Sequence, residues 1–240
     1  MPMSSGIRFI DRERRRIEAN IGGLNVEFPL NAIPDGVYEE MASALDSARN
    51  GRERLDVLYR STLMKPTVAT SNPAGIFPVN TAKKVVRLTL TDEAIEEMID
   101  KLEGTELSWQ GRPFDETLDE RIELYQKTLM DDSKIDRFRL GAIEIFGDQT
   151  YQNIMQDPRV SLNLWHQDKN GLDLSYQMNC IAEIAPPGDP FFKYMRLMRR
   201  LFSSKFLDLR RSPDYICAYK FWVCETKDKS LAEKTGFVPI

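Results

Sequence analysis

The chain has 240 residues, 42% of them hydrophobic and 29% charged, a balance that supports a folded core and excludes a disordered polymer. No apolar run approaches the roughly 20 residues needed to cross a bilayer, and Met1-Pro2-Met3-Ser4-Ser5 carries no apolar signal core. The expectation is therefore a cytoplasmic protein, and the net charge of −4 argues against a protein coated in nucleic acid.

Ile7, Phe9 and Ile10 followed by Arg12, Arg14, Arg15 and Arg16 predict an arm, and Gly23 to Phe28 a short edge strand ended by Pro29. Tyr38, Met41, Ala42 and Leu45 recur at helical spacing, predicting a helix over 35–49 stopped by Asn50-Gly51. Residues 1–60 thus form an N-terminal arm and helix. From Leu55 onward the texture is that of strands: Val57 to Tyr59, Thr67 to Thr70, a turn over 72–75, Ile76 to Val79, and Val85 to Leu90. Thr91-Asp92-Glu93 caps a helix with Ile95, Met98, Ile99 and Leu102 on one face and Gly104 as its stop. A second helix follows over 115–130.

Arg137 to Phe146 predicts a strand, Asp148 can cap a helix of about two turns, and Val160 to Trp165 resumes strand character. Asp168-Lys169-Asn170-Gly171 signals a hairpin into Leu172 to Ile184. Asp189-Pro190 opens a broadly apolar helix, and Tyr215 to Cys224 is the last strand before a tail over 227–240 that ends Phe237-Val238-Pro239-Ile240. The whole is α+β.

No phosphate-binding glycine loop, dinucleotide fingerprint or nucleophile elbow is present. Cys180, Cys217 and Cys224 lack metal or disulfide spacing and read as reduced core thiols, so no metal site is expected. His166, the single histidine, reads as a surface or hydrogen-bonded residue, and Trp165, Tyr219 and Trp222 as core or interface aromatics. The acids Asp115, Glu116, Asp119, Glu120 and Glu123 read as a solvated helical face. Lys193, Arg196, Arg199, Arg200, Lys205, Arg210 and Arg211 form a basic element with two readings: a phosphate or nucleic-acid contact, or the counterpart of the acidic helices over 92–132.

The segment Phe138 to Leu164 carries the most specific pattern: Asn153-Ile154 on a short helix, then Asp157-Pro158-Arg159-Val160-Ser161-Leu162 opening a strand. This resembles the flavin-binding split-barrel family, related to pyridoxamine phosphate oxidase and the flavin reductases, over about residues 65 to 225. The resemblance implies a split β-barrel of mainly antiparallel strands over 61–226, with flanking helices and an inserted acidic helical region over 91–132. It implies FMN as cofactor, bound by Arg139, Gln149, Thr150, Gln152 and Asn153, in a homodimeric flavin-dependent oxidoreductase. A basic residue is often found in the family where this chain has Thr150. The alternative from charge alone is a non-enzymatic subunit docking into a larger assembly.

Overall fold

A computed structural model describes residues 6–46, 65–73, 75–129, 131–167, 171–201 and 215–230. The readings at 50–51, 57–59, 168–170, 205–211 and 237–240 lie outside these. Among the described residues, no helix is long and apolar enough to cross a membrane.

The N-terminal segment is not an arm with one edge strand but a three-stranded antiparallel sheet, β1 (Ile7–Asp11), β2 (Arg16–Ile21) and β3 (Leu24–Pro29). Gly22 and Gly23 both have positive φ, 60° and 89°, which suits the two-residue hairpin turn that pairs Ile21 with Leu24. The arginines at 12–15 form the turn before β2, where Asp11 accepts the Arg14 N–H. Ile17, Ala19 and Leu30 bury against Ile181 and Trp222 of the main sheet.

After α1 (Asp35–Asp46), the strands β4 (Thr67–Ser71), β5 (Val79–Lys83), β6 (Val86–Leu90), β7 (Ile135–Glu144), β8 (Arg159–Gln167), β9 (Asp173–Ala185) and β10 (Cys217–Asp228) form one antiparallel sheet. Its order is β5-β4-β8-β9-β10-β7-β6. The strand expected over 76–79 starts only at Val79, since residues 75–78 make the turn, with the Asn72 N–H closing on the Pro78 carbonyl. Alternation decides the faces: Val160, Leu162 and Leu164 of β8 are buried, whereas Arg159, Asn163 and Trp165 point outward.

The insertion holds α2 (Asp92–Ser108) and α3 (Phe114–Leu129); beyond β7 come α4 (Gln149–Gln156) and α5 (Pro190–Arg200). Helix α2 starts at the expected Thr91 cap, whose hydroxyl accepts the Ala94 N–H at 3.2 Å, but it passes through Gly104 and ends at Ser108. A helical glycine costs only about 1 kcal/mol, and the turns beyond it are held by Glu106 pairing with Arg200 and by buried Trp109. Asp189 caps α5 by accepting the Phe191 N–H at 2.8 Å.

Three cations of the basic element pair inside the chain. Lys193 and Arg196 of α5 both reach Glu103, at 3.4 and 3.1 Å, and Arg200 reaches Glu106 at 3.2 Å. The N-terminal arginines are engaged too: Arg12 with Asp136, Arg16 with Asp11 and Glu27. Part of the charge separation that suited docking to a larger assembly is thus neutralised within one chain.

Arg139 anchors the layers. Its side chain is wholly buried and donates to Asp92, at 2.8 and 3.0 Å, to the Leu90 carbonyl at 2.8 Å and to Thr89, with Asp136 3.2 Å away. Removing one partner of a buried ion network leaves the others uncompensated and costs about 3–5 kcal/mol. Arg139→Met is accordingly expected to lower the urea-unfolding free energy by about that amount. Burial resists ionisation of Asp92, but the Arg139 hydrogen bond and charge, with Lys220, outweigh it and hold the carboxyl below its usual range. A depressed carboxyl contributes stability above its unfolded pKa of about 4 and loses it as pH falls through that region. Asp92→Asn should therefore flatten the fall in melting temperature between about pH 5 and pH 3.

Candidate functional site

The strand-helix-strand segment folds as its punctuation requires. β7 ends at Glu144, Gly147 turns the chain with φ of 70°, and α4 begins at Gln149. Asp148 occupies the cap position but its side chain makes no capping bond. Pro158 ends the helical stretch, and the Asp157 carboxylate accepts the Arg159 N–H at 3.1 Å while pairing with the Arg159 guanidinium at 2.6 Å.

Of the five residues proposed to hold a cofactor, three come together. Gln149 donates to Asn153 Oδ1 at 2.7 Å and to Asn72 at 3.3 Å, and the Asn153 amide donates to Thr70 at 2.9 Å. Thr150 is buried and its hydroxyl accepts from Asn80 at 3.3 Å. These side chains tie α4 to the β4-β5 hairpin, with those of Thr150 and Asn153 buried and Gln149 exposed. Gln152 is exposed on the helix. Arg139 stands apart, spent in its ion network.

Two of the concavities that adjoin this segment bear on a ligand. The first, about 700 Å³, lies on the outward face of β4, β8 and β9, under the end of β3. Thr70, Ser71, Ser161 and Asn179 supply polar groups, and Phe28, Val79, Val160 and Ile181 apolar surface. Ser161 donates to Asn179 at 2.6 Å, and the Asn179 amide donates to Glu225 at 2.6 Å, so the polar floor is ordered. Thr70, gripped by Asn153, belongs to its wall. The exposed Ile76, Phe77 and Val79 stand at the hairpin tip beside it.

The second concavity, about 260 Å³, is cationic. Lys65, Lys83, Lys84 and Arg199 line it, with Glu144 the only acidic lining residue among the described residues and Ile143, Ile145 and Phe146 beside them. Arg199 is 7% exposed, and among the described residues it has no carboxylate partner. Burial, and then repulsion from Arg199 and Arg87, push the Lys65 ammonium below its ordinary pKa. Lys84 lies 2.5 Å from Glu144, which also accepts from Tyr219 at 2.9 Å. Burial works against ionisation of Glu144, but Lys84 and the Phe146 N–H outweigh it, so its pKa is lowered.

Of these cations only Arg199 was among the sequence-derived candidates, within the basic element read as a phosphate or nucleic-acid contact or as the counterpart of the acidic helices. Lys65, Lys83 and Lys84 were not; the four come from before β4, from the end of β5 and the residue after it, and from α5. Among the described residues, no group of three or more His, Cys, Asp or Glu side chains is placed to hold a metal. His166 sits 3.0 Å from Glu40, partly exposed.

No protein-family model matches the chain, and no curated protein matches it. Solved structures do align with it. HupZ of Group A Streptococcus is 14% identical, with 83% of this chain and 98% of the other covered and a TM-score of 0.41. An FMN-binding protein from Syntrophomonas wolfei subsp. wolfei is 11% identical, with coverages of 83% and 95% and a TM-score of 0.37. Campylobacter jejuni ChuZ is 10% identical, with coverages of 94% and 76% and a TM-score of 0.38. At TM-scores below 0.5, these likenesses carry no argument about the chemistry of this chain.

Proposed function

We propose that the protein is a split-barrel binder of a phosphate-bearing cofactor of the FMN class, acting as a homodimeric flavin-dependent oxidoreductase. The observation that supports this reading is the cationic concavity beside the 144–147 turn. A buried arginine with no carboxylate partner among the described residues and three lysines at one mouth suit a dianionic phosphate, because an uncompensated buried cation is costly until an anion meets it.

The residues present fit the phosphate end of such a cofactor. Lys83, Lys84, Lys65 and Arg199 would hold it, and they supply the positive charge that Thr150 does not. The concavity is at the small end for a whole ligand, whose pockets run to about 300–1,000 Å³. A flavin ring would therefore extend outward, past the half-exposed Phe146. A second copy of the chain completing the ring's enclosure accounts for the exposed hairpin tip at 76–79 and the open outward face of β4, β8 and β9. When bound, a flavin supplies hydride transfer at N5, and the protein contributes position and electrostatics. Gln149, Thr150 and Asn153 would hold α4 against the hairpin so that the walls keep their spacing.

Absorbance of protein purified without added cofactor, followed by FMN and riboflavin titration, tests the reading. FMN is expected to bind at least about tenfold more tightly than riboflavin, the contribution of charge-assisted phosphate contacts. Lys83→Met and Arg199→Met should each erase most of that difference and leave riboflavin binding unchanged. A colourless protein that takes up neither flavin would sink it. Sedimentation should give a dimer whose mass is insensitive to salt.

A further inference from the structure

The Glu144 carboxylate occupies a donor set of the kind that binds free oxyanions. Two consecutive backbone N–H groups, those of Phe146 and Gly147, donate to its Oε1 at 3.0 and 3.2 Å. The Lys84 ammonium at 2.5 Å and the Tyr219 hydroxyl at 2.9 Å converge on its Oε2. Successive N–H groups at a turn with a left-handed glycine make an anion-binding concavity, and Gly147 has the required φ of 70°. This glycine is doubly constrained, since a Cβ there would also come within 3.2 Å of Ile216.

The carboxylate is anchored from within the core. Its side chain is nearly sealed, as is that of Lys84, yet both line the cationic concavity. The site therefore has an inner half already filled by a carboxylate and an outer half lined by Lys65, Lys83 and Arg199, of which Arg199 has no carboxylate partner among the described residues. Carboxylate and phosphate are both acceptor groups that compete for the same N–H and ammonium donors.

We propose that Glu144 is an internal occupant of the anion site, competing with the phosphate of an incoming cofactor for Lys84 and the 146–147 N–H groups and so setting its affinity. The proposal rests on the cofactor reading above and adds its regulation: a ligand must either share Lys84 with Glu144 or displace it. The internal carboxylate also keeps the ligand-free protein folded, because without it Lys84 is a buried cation with no counter-charge.

Flavin titration of the full-length Glu144→Gln protein tests this, with FMN and riboflavin as probes. Glutamine keeps the shape and can still accept from the two N–H groups, but it removes the charge. FMN is expected to bind about tenfold or more tightly to the variant, the size of a charge-assisted contact released to the ligand, with riboflavin unchanged. The ligand-free variant should melt lower than the parent, and FMN should raise its melting temperature by more. Tyr219→Phe, which removes one donor from the carboxylate and preserves packing, should tighten FMN by about threefold. FMN affinity unchanged or weakened in both variants, while Lys83→Met still weakens the parent, would overturn the competition and leave the cofactor reading intact. Absence of FMN binding by parent and variants alike would overturn both.

Discussion

The fold depends on one buried guanidinium. Arg139 lies at the middle of β7, wholly inside the protein, and its nitrogens are shared among Asp92 at the start of α2, Asp136 on its own strand, Thr89 and the Leu90 carbonyl. The same Asp136 accepts from Arg12, so the turn of the N-terminal sheet is tied to the same centre. Lys220 of β10 joins through Asp92 and Glu183, and Trp222 donates to Glu183 at 2.8 Å. The indole and the Phe191 ring flank the guanidinium at about 5 Å. Sheet, insertion and N-terminal layer therefore meet in one balanced set of charges, and a buried charge set of this kind specifies position because any slip leaves an ion unpaired.

That anchoring decides where the insertion lies, and so which cations remain for a ligand. With α2 held at Asp92, its Glu103 and Glu106 run beside α5 and take Lys193, Arg196 and Arg200. These positions, three and four residues apart, share one stripe of α5. Arg199 falls about 100° around the helix from Arg200, off that stripe, and is carried instead toward the concavity with Lys65, Lys83 and Lys84. One helix thus neutralises most of its charge against the insertion and delivers a single buried cation to the candidate site.

The elements were legible wherever local period and punctuation agreed. Thr91 as a cap, Asp189-Pro190 as a helix start and the alternation of Val160 to Trp165 all reappear in the structure. Errors came where a local signal had two meanings. Gly104 reads as a stop, yet interhelical ion pairs beyond it hold the helix. Gly23 reads as the start of an edge strand, yet with Gly22 it makes the left-handed pair that a tight hairpin needs. The site was legible as a segment and not as a constellation. Gln149, Thr150 and Asn153 do gather around the turn, but their bonds go to the hairpin. Arg139 on a strand looks like a ligand contact until Asp92, 47 positions away, takes it.

The cations that give the site its charge lie too far apart in sequence for any spacing rule to join them. Glu144 pairs with one of them, Lys84. A pocket of lysines and a buried arginine repels itself until an anion meets it. Placing one carboxylate at the strand end, where the turn's own N–H groups already require an acceptor, lets the basic pocket form without a ligand. The same placement limits what the pocket can bind, since an anion that reaches Lys84 must share it with this carboxylate. Stability of the empty protein and affinity for an oxyanion are therefore opposed through a single side chain, and the position of Glu144 on β7 sets the balance between them.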